Sequence, residues 1–163
     1  MKNTIRDLLN QQIANEFEAA YMYLEFSNFF DSRNLDGYSN YYKIQAREEI
    51  AHAMRIYKYM HQNNEKVKLI AIRAFDKEFE NVDQVLETGL QAEKDVTRSI
   101  DNIFETSLRE NDFRTAEFIK WFVNEQAEEE RDAQKMIDEK SMFGNSLYEL
   151  DNKYGKREYH ENL

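Results

Sequence analysis

The chain contains no cysteine and no proline, and only four of its 163 residues are glycine. Without cysteine, disulfide scaffolds, thiol catalysis, Cys-based zinc sites and thiolate-held iron–sulfur clusters are all excluded. Without helix breakers, a turn-rich β-sandwich is disfavoured and long helices are favoured. Long apolar runs are missing too. The longest unbroken one, Ala19 to Leu24, falls far short of a bilayer span. The first residues carry Arg6, Asp7, Glu16 and Glu18 where a signal peptide needs an apolar core, so a cytoplasmic location is expected. Positive charge is in deficit, with 22 Lys plus Arg against 32 Asp plus Glu, a net charge of −10. An acidic chain repels phosphate backbones and anionic lipid. Neither nucleic acid nor membrane is therefore an expected partner, whereas cations are.

What is present is a soluble balance, 41% hydrophobic and 33% charged, at a length that fits one domain over 1–163. Five helical segments are expected. The first spans about 4–31, with Thr4-x-x-Asp7 resembling a capping box. The Asp36-Gly37 pair is a turn signal that opens the second, about 37–63. The third, about 82–109, follows Asn81 as N-cap, and the fourth, about 113–140, follows Asp112 and is ended by Gly144. Ser146-x-x-Glu149 is a capping box for a short fifth helix, about 147–158. The first four are each about 40 Å long. Short connections make the first pair and the second pair antiparallel. The connection of about 18 residues between the pairs reaches roughly 60 Å when extended, enough to run the length of the bundle. The second and third helices can then be parallel, which is the ferritin-like topology among four-helix bundles.

Each long helix has an apolar stripe at three- and four-residue spacing, and each stripe is broken by ionisable residues. The first reads Leu9, Ile13, Glu16, Ala20, Tyr23; the second Tyr42, Gln45, Glu49, His52, Ile56. The third reads Leu86, Gly89, Glu93, Val96, Ile100; the fourth Ile119, Phe122, Gln126, Glu129, Ala133. The breaks lie about 12 to 16 residues from each helix start, near the midpoint of the rods. Glu16, Glu49, His52, Glu93 and Glu129 should therefore meet at one level inside the bundle. Unpaired, four buried carboxylates cost several kcal/mol each, and no Lys or Arg sits on the stripes. Two divalent cations would balance them. Carboxylates with one imidazole suit iron or manganese better than a closed zinc site. Two other readings fit these residues: an oxidase with a diiron or manganese–iron centre and no storage, and a metal-free acidic helical interaction module.

The motifs Leu9-Asn10-x-Gln12-x-x-x-Glu16, Glu48-Glu49-x-x-His52, Glu93 and Trp121-Phe122-Val123-x-Glu125-Gln126-x-Glu128-Glu129-Glu130 resemble those of bacterial non-haem ferritins. The likeness covers almost the whole chain. It implies a 24-subunit hollow cage that oxidises Fe(II) with dioxygen at a diiron centre within each subunit and stores the ferric product. In that family's terms Glu16 and His52 would hold the first iron, Glu49 would bridge, and Glu93 and Glu129 would hold the second. Gln126 would lie beside the dioxygen site, and Tyr23 beside the centre. Glu48, Glu125 and Glu128, with Glu129 shared, match a third iron site. The family's haem-binding relatives place a methionine where Ile50 stands here, so no haem is implied. Glu110, Asp112 and Glu117, near the turn between the third and fourth helices, are candidates for an entry channel.

Overall fold

The protein is seen in a computed structural model that describes residues 1–144 and 146–160. The expected domain, 1–163, extends over four residues that lie outside the described ones. Five helices follow in order: α1 (Asn3–Asp31), α2 (Asp36–Gln62), α3 (Val82–Arg109), α4 (Phe113–Phe143) and α5 (Tyr148–Tyr154), with no strand among the described residues. None of the helices is long and apolar enough to cross a membrane.

Three of the four long helices stop by the same device. Asn34, Asn64 and Asn111 take the left-handed conformation, with φ near 56–59°. The next residue's N–H then reaches back five positions: Leu35 to the Phe30 carbonyl, Glu65 to Met60 and Asp112 to Ser107, at 2.9–3.1 Å. This is the Schellman closure, with asparagine in the place glycine usually takes. It explains how a chain so poor in glycine ends its helices sharply.

The N-terminal signals fare unevenly. Asn81 and Asp112 accept from Gln84 N and Thr115 N at 3.0 and 3.1 Å, as N-caps do. The capping boxes expected at Thr4 and Ser146 do not form. α1 starts earlier, with Lys2 as N-cap, and α5 starts after Leu147. Each shift moves the hydroxyl away from the capping position. α4 runs three residues past its expected end, and α5 stops at Tyr154 rather than 158. Gly37 makes no turn either; it lies inside α2. A Cβ there would sit 1.7 Å from the Asp151 carbonyl oxygen. The glycine lets α5 press against the start of α2, where the Asp151 carboxylate accepts from Tyr38 N at 3.0 Å.

The apolar core has two halves. One gathers Ala19–Phe30 of α1, Tyr38–Ala46 of α2, Val85 and Leu86 of α3, Met136 of α4 and Leu150 and Tyr154 of α5. The other gathers Ile5–Ile13, Ala53–Met60, Ile100 and Ile103, Ile119 and Phe122. The order in which each helix meets the two halves fixes its direction: α1 and α4 run one way, α2 and α3 the other. α2 and α3 are thus parallel, and 63–81 is the long crossover. Val67 packs on one core half, and Phe75 and Phe79 on the other. Arg6 to Glu65, Lys68 N to Asn10 and Arg73 to Glu18 tie it along α1, all between 2.6 and 2.9 Å. The fold is a ferritin-like four-helix bundle with a short fifth helix.

Candidate metal centre

Between the two core halves lies a polar layer to which all four long helices contribute. On α1 it falls between Ile13 and Ala19, on α2 between Ala46 and Ala53, on α3 between Leu86 and Ile100, and on α4 between Phe122 and Met136. Those intervals contain Glu16, Glu49 and His52, Glu93, and Gln126 and Glu129. All but Glu129 are buried, and Glu129 is half-buried. The apolar residues on either side contribute ~1.5–3 kcal/mol each when fully buried, so the scaffold carries the cost of the layer.

Glu16, Glu49 and His52 each offer a ligand atom within 4.8 Å of the others. His52 Nδ1 is 3.2 Å from Glu49 Oε2 and 3.9 Å from Glu16 Oε2. The i, i+3 spacing puts Glu49 and His52 on one face of α2, as read from the sequence. Two glutamines orient these acids. Gln12 Nε2 donates to Glu16 Oε1 at 2.8 Å, while Gln12 Oε1 accepts from Ser99 Oγ at 2.5 Å. Gln45 Nε2 donates both to Glu49 Oε1 at 3.1 Å and to Glu129 Oε2 at 2.8 Å. Glu93 is held apart by its own donors: the Tyr23 hydroxyl on one oxygen and Gln126 Nε2 at 3.1 Å on the other. Glu93 also lines a small cleft together with Tyr23, Gln45 and Glu129.

A second cluster joins His52, Glu125 and Glu129, again within 4.8 Å of one another. Glu125 Oε1 is 4.0 Å from His52 Nε2. The other two acids expected there lie differently. Glu48 is half-buried and paired with Arg157, and Glu128 is in solvent, 4.0 Å from Arg131. Of the entry-channel candidates, Asp112 is committed as an N-cap and Glu117 pairs with Lys120 at 2.6 Å. Ile50 is partly exposed on α2. The glutamine partners were readable after the fact: Gln12 and Gln45 each stand four residues before an inward glutamate. Nothing in the sequence near Arg157 marks it.

Burial pushes the Glu49 carboxyl up to about 8, with the charge of Glu93 adding to it. Burial also raises Glu16 and Glu129 well above the usual carboxylate range; Glu49 adds to the first, Glu93 and Glu49 to the second. Glu93 rises for the same reason, held back by the donors from Tyr23 and Gln126. No Lys or Arg pairs with any of the four among the described residues. Glu16 Oε2 is buried and accepts no hydrogen bond. Hard to borderline divalent cations fit this donor set, since one would take that free oxygen with the imidazole and two would balance the four acids.

Fold and site define a class: a four-helix bundle with a carboxylate–histidine centre across its middle. Residues 6–142 match the family model of the ferritin-like domain. A bacterial non-heme ferritin of Staphylococcus saprophyticus is 33% identical over 164 residues, covering 99% of this chain and 98% of the relative. The corresponding protein of Staphylococcus aureus is 28% identical over the same share of this chain and 99% of its own. Among solved structures, an Archaeoglobus fulgidus ferritin with an open pore superposes with a TM-score of 0.94 at 32% identity, covering 97% of this chain and 98% of that one. A form of that ferritin engineered to be closed gives 0.95 at 31%, covering 98% and 99%. The chain belongs to the ferritin family.

Proposed function

We propose that this chain is an iron-storing ferritin with ferroxidase activity. Fe(II) is the substrate. Two ions bind in the polar layer, each gives up one electron, and dioxygen takes both. Glu16 and His52 hold the first ion, Glu49 bridges, and Glu93 and Glu129 hold the second. Anionic oxygen donors stabilise Fe(III) over Fe(II) and so favour the oxidation. The second position has no histidine and is the looser one, from which product leaves. Gln126 and Tyr23 keep Glu93 aimed inward through their hydrogen bonds. A third ion binds at the mouth, at Glu125 and Glu129 with Glu48 and Glu128 beside them. The ferric product is stored inside a cytoplasmic cage of 24 copies, each chain one domain.

The observation that carries this reading is the free oxygen of Glu16, buried beside Glu49 and His52 with no lysine or arginine paired to it among the described residues. Aerobic Fe(II) addition tests the reading. Ferric absorbance should rise rapidly for the first ions per chain, with many more then retained per assembly. Sizing should give a particle of about 470 kDa from chains of 19.6 kDa. A species of one or two chains, or Fe(II) oxidised no faster than in buffer, would refute it.

A further inference from the structure

Arg157 lies in the tail beyond α5, 105 residues from His52, yet its side chain reaches the outer edge of the metal layer. Asn40 Nδ2 donates to the Arg157 carbonyl at 3.1 Å, which anchors the backbone there. The guanidinium lies 4.2 Å over the Tyr41 ring. Its Nη1 donates to Gln45 Oε1 at 2.8 Å and to the Tyr41 carbonyl at 3.4 Å, and its Nη2 pairs with the Glu48 carboxylate. Further along, Tyr159 packs under Arg47, with 4.0 Å between guanidinium carbon and ring centre. Tyr159 and His160 complete the wall of a cavity whose other sides include Glu48, His52 and Glu125.

Two consequences follow from hydrogen-bond polarity and charge. An amide has one acceptor end and one donor end. Because Arg157 donates to Gln45 Oε1, the donor end must face the bundle, where it serves Glu49 and Glu129. A freed amide could turn over and set its oxygen against two carboxylates. Meanwhile the guanidinium takes one oxygen of Glu48 and sets a positive charge against any metal ion that would use that acid. We infer that Arg157 is a tail-borne latch: it fixes the Gln45 amide toward Glu49 and Glu129 and competes with a third metal ion for Glu48. Arg157 is thus a positioning residue, and third-ion binding is coupled to release of the tail. This inference rests on the metal-centre reading above.

Calorimetric titration of the assembled, metal-free protein with Zn²⁺, which undergoes no redox chemistry, tests it. Arg157→Ala should tighten the weakest binding step on the order of tenfold, within the usual range for two ligands coupled at one site. Arg157→Lys keeps a cation near Glu48 and should leave that step near wild type. Arg157→Ala/Glu48→Gln should lose the gain. Should Arg157→Ala fail to assemble, Arg157→Gln, which removes the charge and keeps much of the side chain, takes its place with the same expected gain. Isotherms equal to wild type in the neutral variant overturn the latch and leave the metal centre standing. Wild-type protein that binds no Zn²⁺ at all overturns the metal centre and the latch with it.

Discussion

The Oε2 atom of Glu16 lies 3.9 Å from His52 Nδ1, buried and without a hydrogen bond, while its other oxygen accepts from Gln12. In the metal-free protein that arrangement costs stability, since burial and the facing Glu49 carboxyl hold Glu16 well above the usual carboxylate range, so the pair must keep a proton it would otherwise release. Glu16→Gln keeps the Gln12 bond through its oxygen and turns a donor toward Glu49. The metal-free variant should therefore be more stable than metal-free wild type by about 1 kcal/mol. Divalent ions should then stabilise wild type more than the variant. Scanning calorimetry with and without Zn²⁺ reads both effects; a lower melting temperature for the metal-free variant would falsify the account of Glu16.

His52→Ala and Glu49→Ala should each slow the fast phase of Fe(II) oxidation by about a hundredfold or more while leaving the particle assembled. Loss of even an outer partner of a metal site costs 10–100-fold, and these two are ligands in the proposed centre. Stopped-flow ferric absorbance checks this, and a wild-type rate in either variant would remove that residue from the centre.

Tyr23→Phe removes one of the two side-chain donors on Glu93 without changing the packing of the ring against Phe26 and Tyr42. The metal-free protein should lose about 1–2 kcal/mol, the usual cost of a buried acceptor deprived of its donor. Fe(II) oxidation should slow less than in His52→Ala, because Tyr23 acts through Glu93. Denaturant unfolding and stopped-flow rates together decide; an unchanged stability would mean the phenol contributes packing alone.

Stability of the metal-free protein should fall as pH rises from about 5.5 to 8. Glu49 is pushed up to about 8 from 4.5, and Glu16 and Glu129 are also raised. In that window the folded state holds protons that the unfolded chain has already released. The proton-linked stability is whole below the unfolded value and is lost as pH climbs through the folded ones. Glu49→Gln should flatten the slope, which separates this cluster from the general repulsion of a −10 chain. Metal ions replace the protons, so stabilisation by Zn²⁺ should grow with pH. Melting temperatures that rise over this range without metal would contradict the cluster.

Gly37→Ala should detach α5, because the new Cβ would stand 1.7 Å from the Asp151 carbonyl oxygen, a backbone atom that cannot step aside. The cost should be about 1–3 kcal/mol, as for other overpacked sites. With α5 goes the anchor of Arg157, so the weakest Zn²⁺ step should tighten as in Arg157→Ala. A thermal melt and the same titration test the two parts separately.

Helical periodicity is a local property, so the sequence alone determined the four long helices, the inward direction of Glu16, Glu49, His52, Glu93 and Gln126, and the level at which they meet. The chain length between α2 and α3 likewise allowed the crossover, because reach depends only on residue count, and the structure shows it taken. The Asn stops are just as local: Asn34, Asn64 and Asn111 each close their helix within about one turn. Where local signals compete, the sequence did not decide. Thr4 and Ser146 lost the capping position to starts displaced by a residue or so. Gly37, read as a turn, proved to be the contact that admits α5. Only the tertiary structure decided which polar groups answer the acids. It turned Glu48 toward Arg157, left Glu128 in water, drew Glu125 toward His52 and set Gln45 between Glu49 and Glu129. Those outcomes depend on groups far apart in the chain meeting across an interface, where hydrogen-bond polarity and charge are settled jointly, and no periodicity in one segment encodes them.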